Sequence, residues 1–105
     1  MASISSHHQS GITNQELRAA VPESLLSKNI HLHWVDKSRS GKDVYILTAK
    51  IEIDGQMLLL RSKTSDTDLI NDWDVKDPNY HTNARLVALE RILTDPANED
   101  ILLSI

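Results

Sequence analysis

Carboxylates are concentrated in one segment of the chain, residues 64–81, which carries five Asp and one Lys. The acidic residues and the tryptophan among them are Asp66, Asp68, Asp72, Trp73, Asp74 and Asp77. Oxygen-rich loops bind Ca²⁺ when ligands occupy fixed positions, but Ile70 and Asn71 stand where a ligand and the turn glycine belong. The segment therefore predicts a surface that docks another protein, one with a basic surface, with Trp73 as its apolar anchor. A solvated loop without a partner is the alternative.

Five cations form a second cluster at one end of the expected sheet. They are Lys37, Arg39, Lys42, Arg61 and Lys63. In a three-stranded meander the first and third strands run parallel, so the ends of both lie at the same edge of the sheet. Such a rim suits phosphate, which makes nucleic acid the alternative partner. The net charge of −4 argues against avid, sequence-blind duplex binding, and neutralisation of the rim by neighbouring aspartates is the other interpretation.

Metal and catalytic motifs are weak in this sequence. His31 and His33 lie two apart, so a strand would place both imidazoles on one face. Zinc would need a third ligand, from His81 or from the pair at positions 7 and 8, and no spacing fixes either. There is no Cys, no Gly-x-Ser-x-Gly elbow and no phosphate-binding loop. We therefore expect no metal, no cofactor and no catalytic residue, with a metal-dependent small enzyme as a further alternative.

Length and composition indicate one folded domain. The chain has 105 residues, of which 40% are hydrophobic, which is too apolar for a disordered chain. It contains no run of about 18 apolar residues, so no membrane is expected. The absence of Cys and of a secretory signal pattern favours a reducing cytoplasm. We expect a flexible N-terminal tail over residues 1–12 and a single α+β domain over residues 13–105.

Local signals predict the elements of that domain. Thr13 and Glu16 have the spacing of a capping box, and Pro22 breaks the helix that follows, which predicts short N-terminal helices. Apolar residues alternate with polar ones over 30–35 and 43–53, and the Asp54-Gly55 pair is a strong hairpin signal. These signals predict a three-stranded antiparallel β-meander. A C-terminal helix over 83–93 is expected to pack on one face of the sheet, and residues 64–81 are predicted as an irregular connection.

The same alternation assigns side chains to the core. Ile30, Leu32 and Trp34 fall on one face of the first strand, which predicts a buried Trp34. The apolar C-terminus, residues 101–105, is expected to complete the core, because a small domain needs all of its apolar residues. Left exposed, it would instead serve a homodimer or another partner.

The hairpin at 53–56 and the helix at 83–92 together resemble the double-stranded-RNA-binding fold, over about half of the chain. The lysines which that family carries at the start of its second helix are missing, and His81, Thr82, Asn83 and Arg85 stand there instead. The resemblance therefore implies the order of elements and does not imply RNA binding. The function we expect is a small non-catalytic interaction domain, of the inhibitor, immunity or adaptor kind, that docks a protein through residues 66–77.

Overall fold

The computed structural model describes residues 12–76 and 83–105. Residues 1–11 of the expected tail, and also Asp77 and His81, lie outside the described residues. The helices are α1 (Asn14–Ala20), α2 (Thr67–Lys76), α3 (Asn83–Thr94) and α4 (Glu99–Leu103), with 3₁₀ turns at Glu23–Leu25 and Pro96–Asn98. The strands are β1 (Ile30–Gly41), β2 (Val44–Ile53) and β3 (Gln56–Thr64), in the sheet order β1-β2-β3. The predicted α+β fold, with an antiparallel meander and helices on both sides of it in sequence, is confirmed.

Helix α1 begins and ends where the sequence predicts. The Thr13 backbone N–H donates to Glu16 Oε1 at 3.0 Å, and the Glu16 N–H donates to Thr13 Oγ1 at 3.1 Å. This reciprocal pair satisfies two of the backbone donors that a helix start leaves free. Val21 is extended, with φ −83° and ψ 150°, as the residue before a proline prefers.

Tight turns join the three strands. Asp54 and Gly55 both have positive φ, 50° and 84°, which is the geometry that a type I′ hairpin requires. The first connection is shorter than the polar residues 38–41 suggest, because β1 continues to Gly41 and only Lys42 and Asp43 form the turn. Asp43 also has positive φ, 56°, a conformation that Asp tolerates better than most residues.

A β-bulge in β1 changes which side chains enter the core. Leu32 pairs with Ile51 while Trp34 pairs with Lys50, so two residues of β1 advance against one of β2. The extra residue turns Trp34 to the opposite face of the sheet, and Val35 takes the core position with 3% of its surface exposed. The prediction of a buried Trp34 is therefore wrong.

Helix α3 covers one face of the sheet, which we call the covered face. Its residues Ala88, Leu89 and Ile92 are fully buried, as are the inward-facing side chains of β2, which are Leu47, Ala49, Ile51 and Ile53. The apolar C-terminus is only partly used: Leu102 is buried, whereas Ile101 and Leu103 are exposed. In the described part of the chain, no helix is long and apolar enough to cross a membrane.

The connection between β3 and α3 is helical over most of its described length, so the expectation of an irregular segment is wrong for residues 67–76. Asp66 accepts the Leu69 N–H at 3.1 Å through its carboxylate, which caps the start of α2. The helix then buries Leu69, Ile70 and Trp73, whose spacing fits one face of a helix. Burial of these three side chains stabilises the packing of α2 against the domain.

Asn98 fastens the end of α3 to the outer edge of β3. It is the one buried polar residue among those that the structure describes. Its side-chain amide donates to the Arg61 carbonyl at 2.9 Å and to the Ile92 carbonyl at 2.8 Å. Nearby, Ser62 Oγ donates to Asp95 Oδ2 at 2.7 Å, and this bond lowers the pKa of Asp95.

We predict that Asn98→Ala lowers the free energy of unfolding by about 1–3 kcal/mol, because two carbonyls lose their donor in a buried setting. Urea unfolding measures the change. Asn71→Ala, at an exposed position of α2, is the control and should stay within about 0.5 kcal/mol of the unsubstituted chain. Equal stability of the two variants would contradict the role given to Asn98.

Candidate functional site

The structure does not display Trp73 as an exposed anchor. Its side chain is 5% exposed and packs in the core. Two cations flank the indole: Lys37 Nζ lies 5.3 Å from the ring centroid, and the Arg85 guanidinium carbon lies 5.6 Å from it. Cations at these distances are attracted to the face of an aromatic ring, most strongly for Trp. Trp73 therefore joins α2 to β1 and α3, and it offers a partner protein almost no surface.

Two of the acidic residues around Trp73 also bind within the domain. Asp74 Oδ1 lies 2.7 Å from Lys37 Nζ, and Asp66 Oδ2 lies 2.8 Å from Arg91 Nη2. Asp68 and Asp72 are exposed on α2, and Asp77 lies outside the described residues. The predicted acidic surface is thus reduced, in the part of the chain that the structure describes, to the outer side of one helix.

The sheet itself divides the predicted rim of cations. Side chains alternate along a strand, so Lys37 and Arg39 fall on the covered face, opposite Leu47 and Tyr45, while Arg61 and Lys63 fall on the other face. The Arg39 guanidinium lies 6.0 Å from the Tyr45 ring centroid. Lys42 is exposed in the turn between β1 and β2. The side chains of the five cations are therefore divided between the two faces of the sheet and the turn.

The uncovered face of the sheet, which we call the open face, gathers residues that the sequence analysis had placed apart. Its side chains lie in rows across the three strands: His31 with Glu52 and Met57, Trp34 with Lys50 and Leu59, Asp36 with Thr48 and Arg61, and Ser38 with Ile46 and Lys63. Leu59 and Met57 are 48% and 47% exposed, and Trp34 and Ile46 are half-buried. Trp34, Leu59 and Met57 therefore lie on the two outer strands of this face, and Lys50 and Glu52 of the middle strand lie between them.

A shallow hollow of about 240 Å³ lies at the centre of the open face. Trp34 and Leu59 form its apolar wall, and Asp36, Thr48 and Arg61 supply polar groups. An aromatic ring, an aliphatic side chain and hydrogen-bonding groups around one depression are the composition of an interface centre. The bulge in β1 places Trp34 and Asp36 on this face. The alternation of apolar and polar residues does not predict the bulge, so the sequence does not indicate this candidate site.

Side chains occupy backbone groups on both outer strands of the sheet. On β1, the Lys37 N–H donates to Asp36 Oδ1 at 2.8 Å. On β3, the Arg61 carbonyl accepts the Asn98 amide. A strand that pairs with an added chain must offer such groups, so these bonds oppose extension of the sheet at those points.

The histidines of β1 form a pair with one carboxylate. His33 Nε2 lies 3.1 Å from Glu52 Oε1, and the ring centroids of His31 and His33 are 6.1 Å apart. Within residues 12–76 and 83–105, no three His, Asp or Glu side chains are placed to hold a metal ion. The histidines considered above as third ligands lie outside those ranges.

Comparison with known proteins gives no relative for this chain: no protein-family model, no curated protein and no solved structure matches it.

The pairing of Asp66 with Arg91 has a consequence for stability at low pH. The hydrogen bond from Arg91 and, secondarily, the Leu69 N–H lower the pKa of the Asp66 carboxyl from its ordinary value near 4. Because the folded-state pKa is the lower one, this pairing stabilises the fold above about pH 4, and the contribution is lost as pH falls through the folded-state pKa. We predict that Asp66→Asn is less stable than the unsubstituted chain at pH 7 and that the difference shrinks below pH 4.

Urea unfolding at several pH values measures this difference. Arg91→Gln removes the guanidinium that pairs with Asp66. Its loss of stability relative to the unsubstituted chain should likewise be smaller at low pH than at pH 7. A deficit of Asp66→Asn that is as large at pH 3 as at pH 7 would contradict the assignment.

Proposed function

We propose that this chain is a non-catalytic protein-interaction domain that docks a partner protein through the open face of its sheet. The observation that carries the proposal is that Trp34 of β1 and the half-exposed Leu59 of β3 line one hollow, on a face that no helix in the described residues covers. Met57, also half exposed, lies next to Leu59 on the same side of β3. Apolar groups of this size in water gain free energy when a partner covers them.

The open face supports docking better than the acidic side of α2. Trp73 is inside the domain, and Asp66 and Asp74 already bind Arg91 and Lys37. Those carboxylates already bind cations of the same domain, so a partner with a basic surface would compete with Lys37 and Arg91 for them. The side chains at the centre of the open face are held by the sheet backbone and can meet a partner without rearrangement.

The charges on the open face indicate what kind of protein it fits. Lys50, Arg61 and Lys63 outnumber Asp36 and Glu52. A complementary partner presents apolar side chains with carboxylates around them. This partner is acidic where the sequence had suggested a basic one, because the docking surface is a different part of the molecule.

Two further observations support a binding role in the cytoplasm. The carboxylates of Asp74 and Asp66 pair with Lys37 and Arg91, which connects α2 to β1 and α3. An active site would instead keep such carboxylates available for a substrate. The complete absence of Cys fits a compartment in which disulfides do not form.

Single-stranded nucleic acid is the second candidate partner, favoured by one specific arrangement. Trp34 lies beside Lys50, in the same strand register, and shares the central hollow with Arg61. A ring on which a base can stack, with cations for the phosphates, is the basis of single-strand binding. Such binding weakens steeply as salt concentration rises, whereas docking through apolar side chains changes little.

We predict that Leu59→Glu abolishes capture of the partner protein from native extract by the immobilised full-length chain. The added carboxylate places a charge in the apolar wall of the hollow, and the exposed site should leave the thermal midpoint nearly unchanged. Leu103→Glu is the matched control, since Leu103 is 66% exposed on α4 and lies away from the open face. It should capture the same protein as the unsubstituted chain.

The capture is carried out with and without nuclease, and the bound proteins are identified by mass spectrometry. Loss of binding in Leu103→Glu, but not in Leu59→Glu, would overturn the proposal and move the site to α4. Binding that nuclease removes would support the second candidate. Loss of binding in Asp68→Lys/Asp72→Lys alone would return the site to α2.

A further inference from the structure

We infer that a second copy of this chain covers the open face, in a two-fold dimer that places β1 of one copy over β3 of the other. The inference rests on the proposed function, because it assigns an occupant to the same face. It comes from the order of the side chains within each row across the sheet.

A two-fold axis parallel to the strands, between two facing sheets and over β2, exchanges β1 with β3 and keeps each row opposite itself. In the row of Trp34, Lys50 and Leu59, the indole of each copy then lies over Leu59 of the other copy. The same apolar contact forms twice. It covers the two side chains that form the apolar wall of the hollow on the open face.

The neighbouring row supplies the matching charges. It contains Asp36, Thr48 and Arg61, so the same axis places the Asp36 carboxylate of each copy over the Arg61 guanidinium of the other. Carboxylate and guanidinium form strong paired hydrogen bonds, and the symmetry makes two such pairs. Thr48 meets its own counterpart on the axis, which brings no like charges together.

The charged residues of β2 lie near the two-fold axis, so the dimer requires that they are not held against their own counterparts in the other copy. Packed sheets are rotated by about 30° relative to each other, which displaces a residue some 10 Å from the centre, such as Glu52, by about one strand spacing. Glu52 therefore does not face its own copy. Lys50 lies close to the centre and does face its counterpart, so its long side chain must turn its ammonium group towards the rim.

The size of the face sets the strength of the dimer. Three strands about 4.8 Å apart, over about eight residues each, give a footprint of roughly 370 Å² per copy. That is about half of the area which stable dimers bury per subunit. The dimer should therefore be weak and reversible, so that a partner protein with better complementarity can replace the second copy on the same face.

Charge reversal of the Asp36–Arg61 pair tests the arrangement directly. Sedimentation equilibrium of the full chain, from low micromolar to submillimolar concentration, should show a reversible dimer. Asp36→Arg and Arg61→Asp should each weaken it by at least about tenfold, because each variant places like charges together twice. An equimolar mixture of the two variants should regain dimers, since both pairs between the copies then join an arginine of one variant to an aspartate of the other.

Two more variants test the same arrangement. Lys50→Met removes the one unfavourable contact on the axis and should strengthen the dimer. Glu99→Arg, a charge reversal at an exposed position on α4, is the matched control and should leave it unchanged. Circular dichroism confirms that each variant is folded.

A chain that stays monomeric at every concentration overturns the inference, as does a mixture of the reversed variants that does not associate. If the chain is monomeric while Leu59→Glu still loses a captured protein, the dimer is excluded and the proposed function stands. If the reversed variants associate only when mixed but no captured protein depends on Leu59, the dimer stands and the proposed function fails. Association that requires added single-stranded nucleic acid also overturns the inference.

Discussion

The β-bulge between Leu32 and Trp34 determines on which face of the sheet the following side chains of β1 lie. One extra residue reverses the alternation, so Val35 enters the core while Trp34 and Asp36 face outward. The same shift brings Lys37 to the covered face, where it contacts the Trp73 ring and Asp74. Without the bulge, Lys37 would lie on the open face, and α2 would lose these two contacts with β1.

The attachment of α2 also shows that the predicted basic rim and the predicted acidic segment are in contact with each other. Lys37 belongs to the expected basic rim, and Asp74 belongs to the expected acidic segment, yet the two side chains bind each other at 2.7 Å. Arg91 and Asp66 form a second bond of the same kind between α3 and the start of α2. Opposite charges that are far apart in sequence are drawn together by the fold, so charge clusters along the chain overstate what remains available to a partner.

Features that depend on a few adjacent residues are predicted well from this sequence, whereas a feature that depends on how two strands pair is not. The capping box at Thr13 and Glu16 and the turn at Asp54-Gly55 each depend on a few adjacent residues, and both are confirmed. Helix α2 could have been found from its own residues, since Asp66 can cap it and Leu69, Ile70 and Trp73 have helical spacing. The bulge could not, because it depends on how β1 pairs with β2. The open face depends on the bulge, so the sequence alone does not indicate this candidate site.

The edges of the sheet and its open face differ in what they leave exposed, and this difference affects how the chain can contact other molecules. At the edges, Asp36 and Asn98 satisfy backbone groups that an added strand would need. On the open face, Leu59 and Met57 remain about half exposed although the domain is small and has few apolar residues to spare. Covering these two residues by folding would require another helix, and the C-terminal residues Ile101 and Leu103 are instead directed to solvent on α4. Exposed apolar side chains on one face, together with occupied backbone groups at both edges, support the proposal that this domain associates through side chains, a contact that would form and dissociate without any change in its backbone pairing.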